Sequence, residues 1–199
     1  KIKNLGVEPC KNLAKITNSI GIKTYDKFWS MKLSNQIINQ NNRFDVIYSA
    51  NTISHIHNLS ETFNAINNAL NDKGIFILED PSLMETLKLN SYDQFYDEHA
   101  YVFSVIALKN ITKKSGLEIF KIEKLKTYGG SNRIYFKKSS NKKIKVSKEV
   151  FKHLTNEKKF GINKIITYKK FARKVKKSKK NLFKIFKSLK KKKKIVIGY

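Results

Sequence analysis

Along the first two-thirds of the chain, short continuous apolar runs alternate with sets of apolar residues at helical spacing. Leu5-Gly6-Val7 is one such run, closed by Glu8 and by Pro9, which cannot donate to a strand ladder. Residues 11–20 place Leu13, Ala14, Ile16 and Ile20 on a helical repeat, and Gly21 is a plausible stop. Residues 45–50, Asp-Val-Ile-Tyr-Ser-Ala, read as a buried strand with a polar exit at Asn51. Residues 59–70 predict an amphipathic helix with Phe63, Ile66, Ala69 and Leu70 on one face. Asn71-Asp72-Lys73-Gly74 is a turn signal, and 74–79 is the next strand. Residues 117–124 and 133–137 read as two strands with a Gly129-Gly130 turn between them, forming an antiparallel pair at a sheet edge. This order predicts an α/β fold, a doubly wound Rossmann-like sheet with helices on both faces.

The pattern changes near residue 139. Ser139-Ser140-Asn141 is a linker signal, so a first domain is placed at 1–138 and a second region at 139–199. That second region predicts helices over 147–158 and 162–190, with Val150, Leu154, Ile165, Phe171, Val175, Leu182, Phe186 and Leu189 as their apolar positions. Lys190 to Lys194 then leads into a strand signal at 194–199. Apparent strand signals at both ends, with no initiator Met, predict a longer parent sequence.

Charge adds one question to this picture. The formal net charge is +27, from 42 Lys and Arg against 15 Asp and Glu. Such a balance suits nucleic acid or an acidic membrane. The excess is almost entirely Lys, however, and Arg occurs only at 43, 133 and 173. Nucleic-acid surfaces use Arg for bidentate contacts and interleave aromatics for stacking. The lysines are therefore read as scattered compositional charge, and nucleic acid is not the expected partner. Cys10 is the single cysteine, which excludes a disulfide within the chain and suits a reducing cytoplasm. No apolar run is long enough to span a bilayer, so no membrane partner is expected. The four His and one Cys form no metal-ligand cluster, so no metal is expected.

Several residues could carry chemistry. Glu8 ends a strand where nucleotide-binding α/β folds place an acid on ribose hydroxyls, although strand-end glutamates are more often simply exposed. Asn51 leaves the 45–50 strand at the edge where ligands bind, and His55 follows it by one helical turn. Tyr92-Asp93-Gln94-Phe95-Tyr96-Asp97-Glu98-His99, followed by Tyr101-Val102-Phe103-Ser104, packs acids, phenols and an imidazole into one segment. Tyr128-Gly129-Gly130-Ser131-Asn132-Arg133 comes later. Taken singly, Tyr96 and Phe103 fit core aromatics, and Glu98 and His99 fit a helix cap.

Taken in order, these segments resemble the sugar-nucleotide C-methyltransferases. The resemblance runs through Gly6-Val7-Glu8-Pro9, Asn51 to His55, Glu79-Asp80-Pro81, Tyr96-Asp97-Glu98-His99, Gly129-Gly130-Ser131 with Arg133, and Gly198-Tyr199. It departs from the family at Ser82 and Tyr128, where Tyr and His are usual. The resemblance implies an S-adenosylmethionine (SAM)-dependent methyltransferase domain at 1–138, without its first strand and glycine-rich cofactor loop. It implies that 139–199 is a helical connector reaching the first strand of an α/β substrate domain, and that zinc belongs only to a missing N-terminal module. Its implied substrate is a nucleotide-linked keto-deoxysugar, methylated on carbon after proton abstraction beside the ketone. By resemblance His99 is the base, with Tyr96, Glu98 and His55 as further catalytic residues. Glu8 and Asn51 are then cofactor-binding, and Ser131 and Arg133 substrate-binding. An imidazole suits the base, because its ordinary pKa of about 6.5 lets it take a proton near neutral pH. Two other readings compete: an O- or N-methyltransferase of the same fold, and a non-enzymatic basic nucleic-acid-binding protein.

Overall fold

A computed structural model of the chain describes residues 3–197. Its elements run β1 (Gly6–Val7), α1 (Lys11–Ser19), β2 (Thr24–Tyr25), α2 (Met31–Asn41), β3 (Phe44–Ala50), α3 (Leu59–Ala69) and β4 (Leu70–Pro81). They continue with α4 (Leu83–Leu89), α5 (Val105–Lys114), β5 (Leu117–Leu125), β6 (Ser131–Lys138), α6 (Lys148–Phe160) and α7 (Ile165–Lys191).

The main sheet has the order β3-β4-β6-β5, with β3 and β4 parallel and β4, β6 and β5 antiparallel. The expected antiparallel pair is present, with β5 at the edge and β6 between it and β4. β1 and β2 form a separate parallel pair. The turn signal at residues 71–74 appears as a looped-out irregularity near the start of β4. Leu70 pairs with Phe44 and Ile75 with Val46, and Asn71 Oδ1 accepts from the Lys73 amide at 2.9 Å.

Alternation along the strands sets one core. Phe76 and Leu78 of β4 and Ile134 and Phe136 of β6 are buried together with Phe63 of α3, Leu108 of α5 and Val150 of α6. Phe76 stacks on Phe136 at 5.2 Å between ring centroids, and Phe63 meets Phe76 edge-on at 6.4 Å. The other face of the sheet is more open. Ile75, Ile77, Arg133 and Tyr135 are only half-buried there, and Val46 and Tyr48 are 52% and 58% exposed. β3 is thus an edge strand open on one face, not the fully buried strand its apolar run predicts.

Helix starts follow capping chemistry. Ser30 Oγ accepts from the Leu33 amide, Asn58 Oδ1 from Glu61, and Ser104 Oγ from Ala107. The start of α5 has a second, non-local cap. Glu157 of α6, fully buried, accepts the Val105 and Ile106 amides at 2.8 and 2.9 Å. Gly161, at φ +83°, ends α6 in the left-handed conformation that glycine tolerates.

α7 packs through Tyr168 and Phe171. Ile165, expected on the apolar face, is 71% exposed, and Leu182 and Phe186 are 45% and 44% exposed. Residues 194–197 carry no regular secondary structure, because no partner strand lies beside them among the described residues. Gly198 and Tyr199, which complete the sequence's strand signal and its resemblance, lie outside the described residues. No helix among the described residues is long and apolar enough to cross a membrane.

Candidate active site

β3 and β4 end side by side, with Ala50 opposite Glu79. Each strand then gives way to an irregular segment, and the two segments are stitched together. After β3, Asn51 turns at φ +48° and donates its amide to the Glu79 carbonyl at 2.8 Å, and a 3-10 turn follows at Ile53–His55. After β4 and α4, the chain returns through a 3-10 turn at Tyr92–Gln94 and a loop to residue 103. Tyr101 ties this loop to the first turn. Its amide donates to the Ser54 carbonyl at 3.1 Å and its phenol to the His57 carbonyl at 2.8 Å. The two crossings bring the His55 and His99 rings to 4.9 Å.

The hydrogen bonds around His99 settle its tautomer. Nδ1 lies 2.9 Å from the Gln94 carbonyl, which can only accept, so Nδ1 carries the proton in neutral His99. Nε2 then holds the lone pair, and it sits 2.9 Å from the Tyr96 phenol, which donates to it. Tyr96 is 48% exposed, whereas His99 is only half-buried behind it. The arrangement is an imidazole reached from outside through a phenol.

The other expected site residues distribute unevenly. Glu98 is exposed, and no side-chain hydrogen bond or ion pair of it is seen among the described residues. Glu8 stands at the end of β1, where one carboxylate oxygen accepts the Cys10 amide at 2.8 Å. Asn51 sits at the end of β3 beside the His55 turn. Ser131 and Arg133 lie on β6, opposite Pro81 and Glu79 of β4. Ser131 is buried, and its hydroxyl donates to the Thr127 carbonyl. Arg133 is opposite Glu79 in the ladder and binds Glu79 and Glu123 on the open sheet face. Phe95 is 47% exposed and leans on Phe171 of α7 at 5.8 Å; of the two residues that fit core aromatics, Phe103 is buried and Tyr96 is not. No group of three or more His, Cys, Asp or Glu suited to a metal occurs among the described residues.

One residue of this region has no sequence signal beyond its place in the Glu-Asp-Pro run. Asp80 is 4% exposed, and neither carboxylate oxygen has a hydrogen-bond partner. Burial pushes its carboxyl up to about 6, against the opposing pull of the Ser54 hydroxyl and the His99 ring.

A larger cavity of about 490 Å³ lies between β1 and β3. Val7 and Pro9 line one side, Val46, Tyr48 and Ala50 the other, and His55 also borders it. The strand edges that face it are unpaired among the described residues, since β1 pairs with β2 and β3 with β4.

This α/β arrangement is that of SAM-dependent methyltransferases. A SAM-dependent methyltransferase from Thermotoga maritima superposes with a TM-score of 0.51 at 17% identity, covering 67% of this chain and 72% of that one. Another from Clostridium acetobutylicum gives 0.50 at 15% identity, covering 68% and 75%. The methyltransferase domain family model matches residues 2–122, and the chain belongs to that family. A C-methyltransferase C-terminal domain model matches 126–199. C-methyltransferase NovU from Streptomyces niveus is 27% identical over 168 residues, 84% of this chain. The chain spans 40% of the length of NovU.

Proposed function

We propose that this chain carries the catalytic part of a SAM-dependent C-methyltransferase whose substrate is a nucleotide-linked keto-deoxysugar. The observation that carries the reading is the Tyr96–His99 pair at the carboxyl ends of β3 and β4, with His99 Nε2 free to accept a proton. Methylation of carbon demands such a base, because the carbon is not nucleophilic until a proton has left it. Oxygen and nitrogen nucleophiles need less help. The match of residues 126–199 to a C-methyltransferase C-terminal domain supports the same reading.

The residues present suit the ribose end of the cofactor. Glu8 offers a second carboxylate oxygen at the end of β1, beside the apolar cavity that Val7 and Pro9 line. The described residues contain no glycine-rich cradle for the cofactor's methionine end. When bound, SAM supplies an electrophilic methyl group.

The chain's own residues handle the proton. A keto group acidifies the hydrogen on the adjacent carbon, since the resulting enolate is delocalised. That proton passes to the Tyr96 oxygen as the phenol's own proton moves to His99 Nε2, leaving an imidazolium and an enolate. His55, 4.9 Å from His99, borders the cavity and stands on the other wall of the site. Glu98, exposed beside the pair, is free to hold a sugar hydroxyl.

The test is methyl transfer from labelled SAM by the protein extended through its cofactor loop, offered nucleotide-linked 4-keto deoxysugars. Label on a ring carbon is the expected product. Label only on oxygen or nitrogen would overturn the reading.

A further inference from the structure

The Tyr96–His99 pair has a neighbour that the proton transfer leaves unexplained. Asp80 lies at the core-facing end of β4 and borders a small hollow together with Ser54, His99 and Tyr101. Both carboxylate oxygens lack hydrogen-bond partners, and so does the buried Ser54 hydroxyl. Arg133 cannot neutralise it. Successive strand residues point to opposite faces, and Arg133 is engaged by Glu79 on the other one. No Lys or Arg pairs with Asp80 among the described residues. The titratable groups around His99 are Asp80 from β4, His55 from the turn after β3, and Tyr96 and Tyr101 from its own loop.

A buried carboxylate without a partner is unfavourable unless a cation stands near it. His99 supplies one when it takes a proton, since its Nδ1–H is already committed to Gln94 and its Nε2 would then hold Tyr96. We propose that Asp80 is a positioning residue for the proton transfer: it is the buried counter-charge that stabilises the imidazolium form of His99. This rests on the reading of His99 as the base. The carboxylate touches no substrate and acts only through the ring. The upward displacement of its pKa agrees, because burial takes the group out of water while the His99 ring pulls the other way.

The test is a carbon-13 titration of the Asp80 carboxyl in the chain itself, in wild type and in His99→Asn. Wild type should titrate near 6. In His99→Asn the midpoint should rise by about 0.5–1 unit, the effect of losing a nearby opposite charge. Identical curves in the two proteins would overturn the proposal. The His99→Asn difference should persist in a Ser54→Ala background, which separates the ring from the hydroxyl. The titration needs no substrate. If the coupling is present and His99→Asn still turns over normally in the extended enzyme, the base assignment fails and the charge pairing stands.

Discussion

Replacing Asp80 by Asn should stabilise the fold at neutral pH, an unusual outcome for a buried polar residue. The substitution keeps the shape of the side chain and removes the ionisable group. The folded carboxyl titrates near 6, against 3.8 for the free group. The folded state therefore binds the proton more tightly, and stability falls as pH rises from about 4 to about 6. Above that window the carboxylate is ionised in both states and the whole cost is in place. A displacement of about two units corresponds to about 3 kcal/mol. At pH 4 the cost is almost absent, so the variant's advantage over wild type should be about 2–3 kcal/mol larger at pH 7.5 than at pH 4. Comparing the two proteins at each pH cancels every other titrating group, and comparing the two pH values cancels the amide's own packing. Urea denaturation monitored by circular dichroism gives both quantities. A variant-minus-wild-type difference that stays constant with pH would show that Asp80 is not an ionised, uncompensated group in the folded chain.

Two further outcomes follow from α6. Glu157→Ala should lower stability by about 2–4 kcal/mol, because it leaves the Val105 and Ile106 amides unpaired in the core and opens a void; a thermal midpoint within a degree of wild type would contradict the non-local cap. His153 is held down to about 4 by burial and by nearby Lys124 and Lys88, against the pull of Glu85, so its contribution is present above pH 6.5 and lost as pH falls towards 4. Denaturation across that range should show His153→Leu losing less stability than wild type, and equal slopes would refute the buried neutral imidazole.

Local signals carried the elements better than their neighbours. The helix at α3 and the strands at β5 and β6 follow periodicity closely. α2 was not among the predicted elements, although Ser30 caps it and Leu33 and Ile37 repeat at helical spacing, because its Asn and Gln residues dilute the apolar face. The exposure of β3 was not readable. Val46 and Tyr48 look like core residues, yet among the described residues nothing covers them fully and they are 52% and 58% exposed. The site divides in the same way. Tyr96, His99 and His55 stand out as residue types in an order that a family pattern shares. The roles of Gln94, which settles the His99 tautomer with a carbonyl, and of Asp80, which meets Ser54 and His99 only in space, depend on contacts that no spacing encodes. Arg133 shows the converse: a residue conspicuous in its motif, whose guanidinium is held by Glu79 and Glu123 in the ladder.

The central claim is that the Tyr96–His99 pair removes a proton from the carbon that receives the methyl group. Exchange of that proton with deuterated water, followed by NMR on a nucleotide-linked 4-keto deoxysugar bound to the extended enzyme, measures this step without the methyl transfer. Wild type should exchange readily, and His99→Asn and Tyr96→Phe should each slow exchange by about 10²–10⁴, the range for loss of general-base catalysis, with substrate affinity retained. Exchange at the wild-type rate in either variant would contradict the assignment and move the base to His55.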